Sequence, residues 1–152
     1  MKGWLLDTNI VSQLRKPNCH FAVKQWADSQ SPQSFYLSTV TLAEIRFGIE
    51  RLNDKAFGQE LTEWLDATLR PWFSDRVLAV DEDVILVWRR MVEQGRKQGH
   101  TYSQPDLFIA ATAALHELCV ATRNITDFQK SGVAVFNPFT ERMSEENRVL
   151  YE

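Results

Sequence analysis

Cysteine is scarce in this chain, and its two copies, Cys19 and Cys119, lie far apart. They form no CxxC or Cys/His pattern, so neither a disulfide framework nor a zinc site is indicated, and a reduced cytoplasmic setting is expected. Long apolar runs are also missing. Nothing approaches the roughly 18 residues of a membrane span, and the stretch before Asp7 is too short for a signal-peptide core. A soluble protein with no membrane partner is therefore expected. The chain lacks G-x-S-x-G, and His20, His100 and His116 fall on separate helices or loops without a Ser or Cys partner, which argues against a nucleophilic hydrolase. Without a GxGxxG or Walker loop, nucleotide binding through those motifs is not expected.

Charge of either sign is nearly balanced, with a net of −3 over 152 residues. That argues mildly against a general nucleic-acid coating, which rests on neutralising phosphates with Lys and Arg. If four carboxylates share one metal-loaded pocket, however, the remaining surface carries +1, and eleven of the seventeen basic residues are Arg. A phosphate-bearing substrate stays compatible with that balance.

What is present suffices for one ordinary domain, since 44% of the residues are hydrophobic and a chain of this length buries roughly two thirds of its unfolded surface. The apolar run Trp4-Leu5-Leu6, ending in Asp7-Thr8-Asn9, predicts a buried strand whose last side chain emerges where a helix begins. Asn9 to Leu14 and His20 to Asp28 read as helices, the second burying Phe21, Val23 and Trp26. Phe35 to Ser38 predicts a second strand. Thr39 to Ile49 then reads as a helix with Leu42, Ile45 and Ile49 inward, and Asp54 to Leu69 as its hairpin partner, ended by Pro71. Arg76 to Val80 predicts a third strand. Asp81 caps a long helix to about Gln98 with an apolar stripe of Ile85, Val87, Trp88, Met91 and Val92. Asp106 to Leu115 is a strongly apolar helix opened by Pro105. Leu118 to Ala121 and Val133 to Phe136 supply two more strands, separated by a loop with one helical turn. This alternation implies a three-layer α/β/α fold around a five-stranded parallel sheet. The domain is expected over residues 1–139, with 140–152 a polar tail that is docked or frayed. Trp64, Trp72 and Trp88 fall at helical or strand-edge spacing and read as core or dimer-contact residues.

Four acids stand out. Taken singly, each has a structural role: Asp7 as a helix N-cap, Glu44 in the capping-box pattern Thr41-Leu42-Ala43-Glu44, Asp106 in a first helical turn, and Asp127 at a turn. Jointly, Asp7, Asp106 and Asp127 fall at strand ends or helix starts along one edge of the sheet, with Glu44 on the first turns of another helix. Folding alone does not require that convergence. Carboxylates gathered within a few Å repel unless a cation is bound. Oxygen ligands without His or Cys favour Mg²⁺ or Mn²⁺ over zinc. Such an ion can hold a phosphate oxygen, orient a water and stabilise a leaving oxygen, which is phosphodiester hydrolysis.

The motifs Leu6-Asp7-Thr8-Asn9, Thr41-Leu42-Ala43-Glu44-Ile45-Arg46-Phe47-Gly48, Pro105-Asp106-Leu107-Phe108-Ile109-Ala110-Ala111-Thr112-Ala113 and Thr122-Arg123-Asn124-Ile125-Thr126-Asp127-Phe128, in this order, resemble the PIN-domain ribonucleases. The likeness is greatest to the VapC and FitB toxins of toxin–antitoxin pairs and covers Lys2 to about Pro138. It implies Mg²⁺- or Mn²⁺-dependent endonucleolytic cleavage of RNA at Asp7, Glu44, Asp106 and Asp127. Asp7 and Asp106 would be the principal metal ligands, and Glu44 and Asp127 would complete the pocket directly or through water, around one ion or two. Thr8, Asn9, Thr122 and Asn124 occupy polar positions suited to orienting carboxylates, water or phosphate. Arg46, Arg89, Arg90, Arg96 and Arg123 are candidates for gripping RNA, although Arg89, Arg90, Arg96 and Lys97 on one helix also read simply as a solvated face. The resemblance further implies a homodimer held inactive by a small DNA-binding antitoxin of the VapB or FitA kind, whose C-terminal segment covers the acidic groove, and contact with DNA only through it.

Two other phosphate chemistries fit less well. A haloacid-dehalogenase-type phosphatase wants a second Asp where Asn9 stands. A phosphate-receiver domain wants an acid pair after the first strand and a Lys near the fifth, and neither occurs. A different class of function also remains, in which the protein is chiefly a partner-binding component of a DNA-bound toxin–antitoxin repressor complex, with secondary or very narrow nuclease activity.

Overall fold

The computed structural model describes residues 1–101, 104–140 and 142–143. Among them, strands β1 Trp4–Leu6, β2 Phe35–Ser38, β3 Val77–Leu78, β4 Cys119–Ala121, β5 Val135–Asn137 and β6 Arg142–Met143 form a single sheet. Its order is β3-β2-β1-β4-β5-β6. β1 to β5 are mutually parallel, as expected; β6 is an addition that pairs antiparallel with β5 through Phe136 opposite Met143. β1 is central, with Leu5 level with Tyr36 on one side and Val120 on the other.

Three layers follow from the two-residue period of these strands, which sends alternate side chains to opposite faces. Trp4 and Leu6 of β1, Phe35 and Leu37 of β2, Cys119 and Ala121 of β4 and Phe136 of β5 join one core. Leu5, Val120 and Val135 join the other. The first face is covered by α1 Thr8–Arg15, α2 Phe21–Ser29, α3 Thr39–Glu50, α4 Lys55–Trp64 and α5 Arg70–Phe73; the second by α6 Glu82–Lys97, α7 Gln104–His116 and α8 Ile125–Gln129. Trp4, Trp26, Phe35 and Phe136 interlock on the first face, with ring centroids of contacting pairs 5.1–5.7 Å apart. Strands β1 and β2 approach tightly where β1 begins: a Cβ on Gly3 would stand 2.4 Å from the Ser34 carbonyl oxygen, so only glycine fits.

Polar residues set the helix starts. The backbone N–H groups of Val40, Phe57 and Val84 donate to the side chains of Ser38, Asp54 and Asp81, capping α3, α4 and α6.

Several expectations are corrected. Phe21 is 76% exposed, because as the first residue of α2 it lies off the Val23–Trp26 face. The inward stripe of α6 starts at Val84, fully buried, while Ile85 is 45% exposed; the true face is Val84, Trp88, Met91, Val92 and Gly95. Pro71 does not end the helical run. Leu65–Leu69 form a π-helical stretch, and Pro71 follows it inside α5; the wider turn is where its ring and missing N–H are accommodated. β3 is shorter than expected, at Val77–Leu78.

Candidate active site

In a sheet of this order the chain leaves β1 toward β2 on one side, while β4 flanks it on the other. The carboxyl ends of β1 and β4 therefore border the crevice at which open α/β sheets bind ligands. Asp7 directly follows β1 and Thr122 directly follows β4.

Asp7 is the N-cap of α1 and only 6% exposed. Its Oδ1 accepts from the Thr8 N–H at 2.8 Å and its Oδ2 from the Thr122 hydroxyl at 2.8 Å. The Asn9 amide donates to the same Oδ2 and to Thr122 Oγ1, both at 3.3 Å. Asn9 Oδ1 in turn accepts the Arg123 N–H at 3.1 Å, and Thr122 Oγ1 accepts the Asn124 N–H at 3.0 Å. Thr8, Asn9, Thr122 and Asn124 thus lock one carboxylate into one orientation and tie the start of α1 to the loop after β4.

The other acids surround this anchor. Asp106, in the first turn of α7, is half-buried, and its carboxyl is pushed up to about 6, first by burial and then by the negative charges of Asp7, Asp127 and Glu44. Burial also raises Asp7, offset by the hydrogen bonds from Thr122, Thr8 and Asn9, with Asp127 adding a smaller upward push. Glu44 and Asp127 are exposed. Asp106 therefore lies within electrostatic reach of the other three acids, and Asp7 of Asp127, although no three His, Cys, Asp or Glu among the described residues stand close enough to form a ready-made ligand set.

A divalent cation nevertheless suits this donor chemistry. The cluster offers carboxylate oxygens without imidazole or thiolate, the preference of Mg²⁺ and Mn²⁺, and its two most buried acids are both raised in a way a cation would reverse. Thr41, fully buried one turn before Glu44 on the same side of α3, has a hydroxyl with no hydrogen-bond partner among the described residues.

Asp7 does cap a helix. The capping-box expectation for Glu44 is wrong, because Ser38, not Thr41, is the N-cap of α3. Glu44 is left without that role. Thr41 is legible in its motif, though as a cap that the structure gives to Ser38, whose polar role carries no signal beyond its place after an apolar strand.

The basic residues are dispersed. Arg46 lines a cavity of about 450 Å³ with Glu50, Asp66 and Arg70. Arg89 and Arg96 both turn onto Glu93, and Arg90 is exposed on the same helix. Arg123 alone of the five is hydrogen-bonded, through its backbone, into the Asp7 network.

A parallel sheet flanked by helices on both faces, with acidic residues at its switch point, defines a three-layer α/β protein with an acidic crevice. The chain belongs to the PIN domain family, whose model matches residues 4–131. It is 37% identical over 135 residues to Toxin FitB of Neisseria gonorrhoeae, covering 89% of this chain and 97% of that protein. Identity to a VapC ribonuclease of Sinorhizobium fredii is 33% over 135 residues, covering 89% and 96%. Among solved structures, FitAB bound to a DNA fragment matches with a TM-score of 0.83 at 35% identity, over 90% of this chain and 95% of that one.

Proposed function

We propose that the chain is a Mg²⁺- or Mn²⁺-dependent endoribonuclease and the toxin of a toxin–antitoxin pair. The observation that carries this reading is the buried Asp7 carboxylate, held by Thr8, Asn9 and Thr122 at the sheet's switch point, beside an Asp106 that feels the charges of Asp7, Asp127 and Glu44. The names of the relatives, a toxin and a VapC ribonuclease, support it.

In this reading Asp7 and Asp106 hold the cation, and Glu44 and Asp127 complete the pocket. When bound, the ion supplies charge stabilisation on a phosphodiester and lowers the pKa of a water. Thr122 and Asn9 keep Asp7 from rotating as charge changes around it, and Asn124 keeps the Thr122 hydroxyl aimed at Asp7. The exposed carboxylates of Glu44 and Asp127 are the ones accessible to a water. The protein is further read as a cytoplasmic homodimer partnered by a small DNA-binding antitoxin.

The test is cleavage of total cellular RNA by purified, antitoxin-free protein with Mg²⁺ or Mn²⁺, with EDTA, and with Asp106→Ala. Discrete products that require both the metal and Asp106 are expected. Equal cleavage by Asp106→Ala or by Asp7→Ala would sink the metal assignment.

A second role is favoured by the match to FitAB bound to DNA. With its antitoxin, the chain would form part of a DNA-bound repressor complex, touching DNA only through that partner. Asp7→Ala should leave such a complex intact, as read by operator mobility shift.

A further inference from the structure

The guanidinium of Arg123 lies 4.0 Å from the centroid of the Phe139 ring, closer than any other cation–ring pair in the protein's described residues, which stand at 5.3–5.8 Å. Phe139 is itself packed, half-buried, against the first-face core and edge-on to His20 at 5.1 Å. Its N–H is fixed to Asn137 Oδ1 at 2.9 Å. At the other end, the Arg123 backbone is held by Asn9, which also touches Asp7, and its carbonyl accepts from Asn137 Nδ2 at 3.4 Å. Arg123 is exposed, and no carboxylate among the described residues pairs with it.

Such a cation is unusual. A surface Arg normally carries large rotamer entropy, lost when it binds a ligand. Here the Phe139 ring has already removed part of that freedom, and the anchored backbone fixes where the side chain starts, while no carboxylate among the described residues pairs with the charge. The backbone that carries it is one hydrogen-bonded residue, Asn9, away from the most buried acid of the site. By contrast Arg89 and Arg96 are engaged by Glu93 on their own helix.

We propose that Arg123, pre-oriented by Phe139, grips a phosphate of the RNA strand next to the one being cut. The inference rests on the endoribonuclease reading and adds to it a specific substrate contact on the β4–β5 side of the crevice. The planar fork of guanidinium N–H groups matches two phosphate oxygens, and the contact with the Phe139 ring face engages the cation without using an N–H donor on another acceptor.

The experiment compares wild type, Arg123→Ala, Arg123→Lys and Phe139→Leu in steady-state cleavage of one RNA oligonucleotide, over a range of salt. Arg123→Ala should raise KM about tenfold with kcat within about twofold, and should lower the slope of log(1/KM) against log salt by about 0.7, one phosphate contact on a single strand. Arg123→Lys should restore the slope but only part of the affinity, since it keeps the charge and loses the fork. Phe139→Leu should also keep the slope while raising KM about threefold, because it removes the orientation and not the charge. Unchanged KM and slope for Arg123→Ala overturn the proposal. So does a loss confined to kcat, or a changed cleavage sequence at unchanged slope, which would indicate base stacking. If wild type cleaves no RNA, the functional reading falls separately. The same proteins are then compared for equilibrium binding of the oligonucleotide in Ca²⁺, where equal salt slopes for wild type and Arg123→Ala overturn the grip itself.

Discussion

Thr122 donates 2.8 Å to the one carboxylate that the rest of the site surrounds, and is itself fully buried. Thr122→Val keeps the shape and removes the donor, leaving Asp7 Oδ2 with only the longer bond from Asn9. Supporting contacts of this kind are worth about 10–100-fold in activity or metal affinity, so a loss in that range is expected in cleavage rate and in Mn²⁺ titration, with unfolding still cooperative. Asp106 has a pH signature. Its carboxyl is raised from 3.8 to about 6 by burial and by Asp7, Asp127 and Glu44. Between those values the folded, metal-free protein holds a proton that the unfolded chain has released, so this contribution to stability is greatest at low pH and is lost as pH rises through about 6. Asp106→Asn should flatten that slope and stabilise the metal-free protein at neutral pH by on the order of 1 kcal/mol, allowing for solvent screening of a half-exposed group. Urea midpoints from pH 4 to 8 are the check; an unchanged pH slope in the variant would remove Asp106 as its source. At this scale the acids and their polar neighbours were legible because each stands beside an apolar run or a helix start. The Phe139 platform was not, since a lone aromatic near a polar tail has no periodicity to mark it.

Elements were legible to the extent that burial wrote a period into them. β1, β2 and the Asp81-capped start of α6 match expectation residue for residue. The failures share a cause. Val84, Ile85, Leu86 and Val87 form an unbroken apolar run in which no polar gap marks the buried side. Tertiary packing then buries Val84 and leaves Ile85 and Leu86 in solvent. The stretch around Pro71 failed similarly, since a proline signals a break and does not reveal that a π turn ahead of it will absorb the ring. A paired measurement follows. Val84→Ala should cost about 2 kcal/mol as a cavity in a closed core, whereas Ile85→Ala should stay within about 0.5 kcal/mol. Equal losses in thermal unfolding would restore the stripe starting at Ile85.

The whole molecule explains why residues as distant in sequence as Asp7, Glu44 and Asp127 come within electrostatic reach of Asp106 at all. Four separate crossovers return the chain to one sheet edge, and the strand order opens a crevice between β1 and β4. A fold that gathers acids there raises Asp7 and Asp106 above the ordinary carboxylate range, which opposes folding at neutral pH in the absence of a cation. The same repulsion makes the site a strong receiver of positive charge, so metal binding and global stability must be linked. With free Mn²⁺ at ten times its dissociation constant, the folded state should gain ~1.4 kcal/mol, or about 3–5 °C in Tm for a domain of this size. The gain should shrink as pH falls through about 6, because protons then compete for Asp106. Asp7→Asn should abolish it without lowering the metal-free Tm by more than the loss of one cap. Arg90→Ala, exposed on α6, should leave it unchanged. An Mn²⁺-independent Tm in the wild-type protein would mean that the four acids do not act as one cation site, whatever their electrostatic proximity.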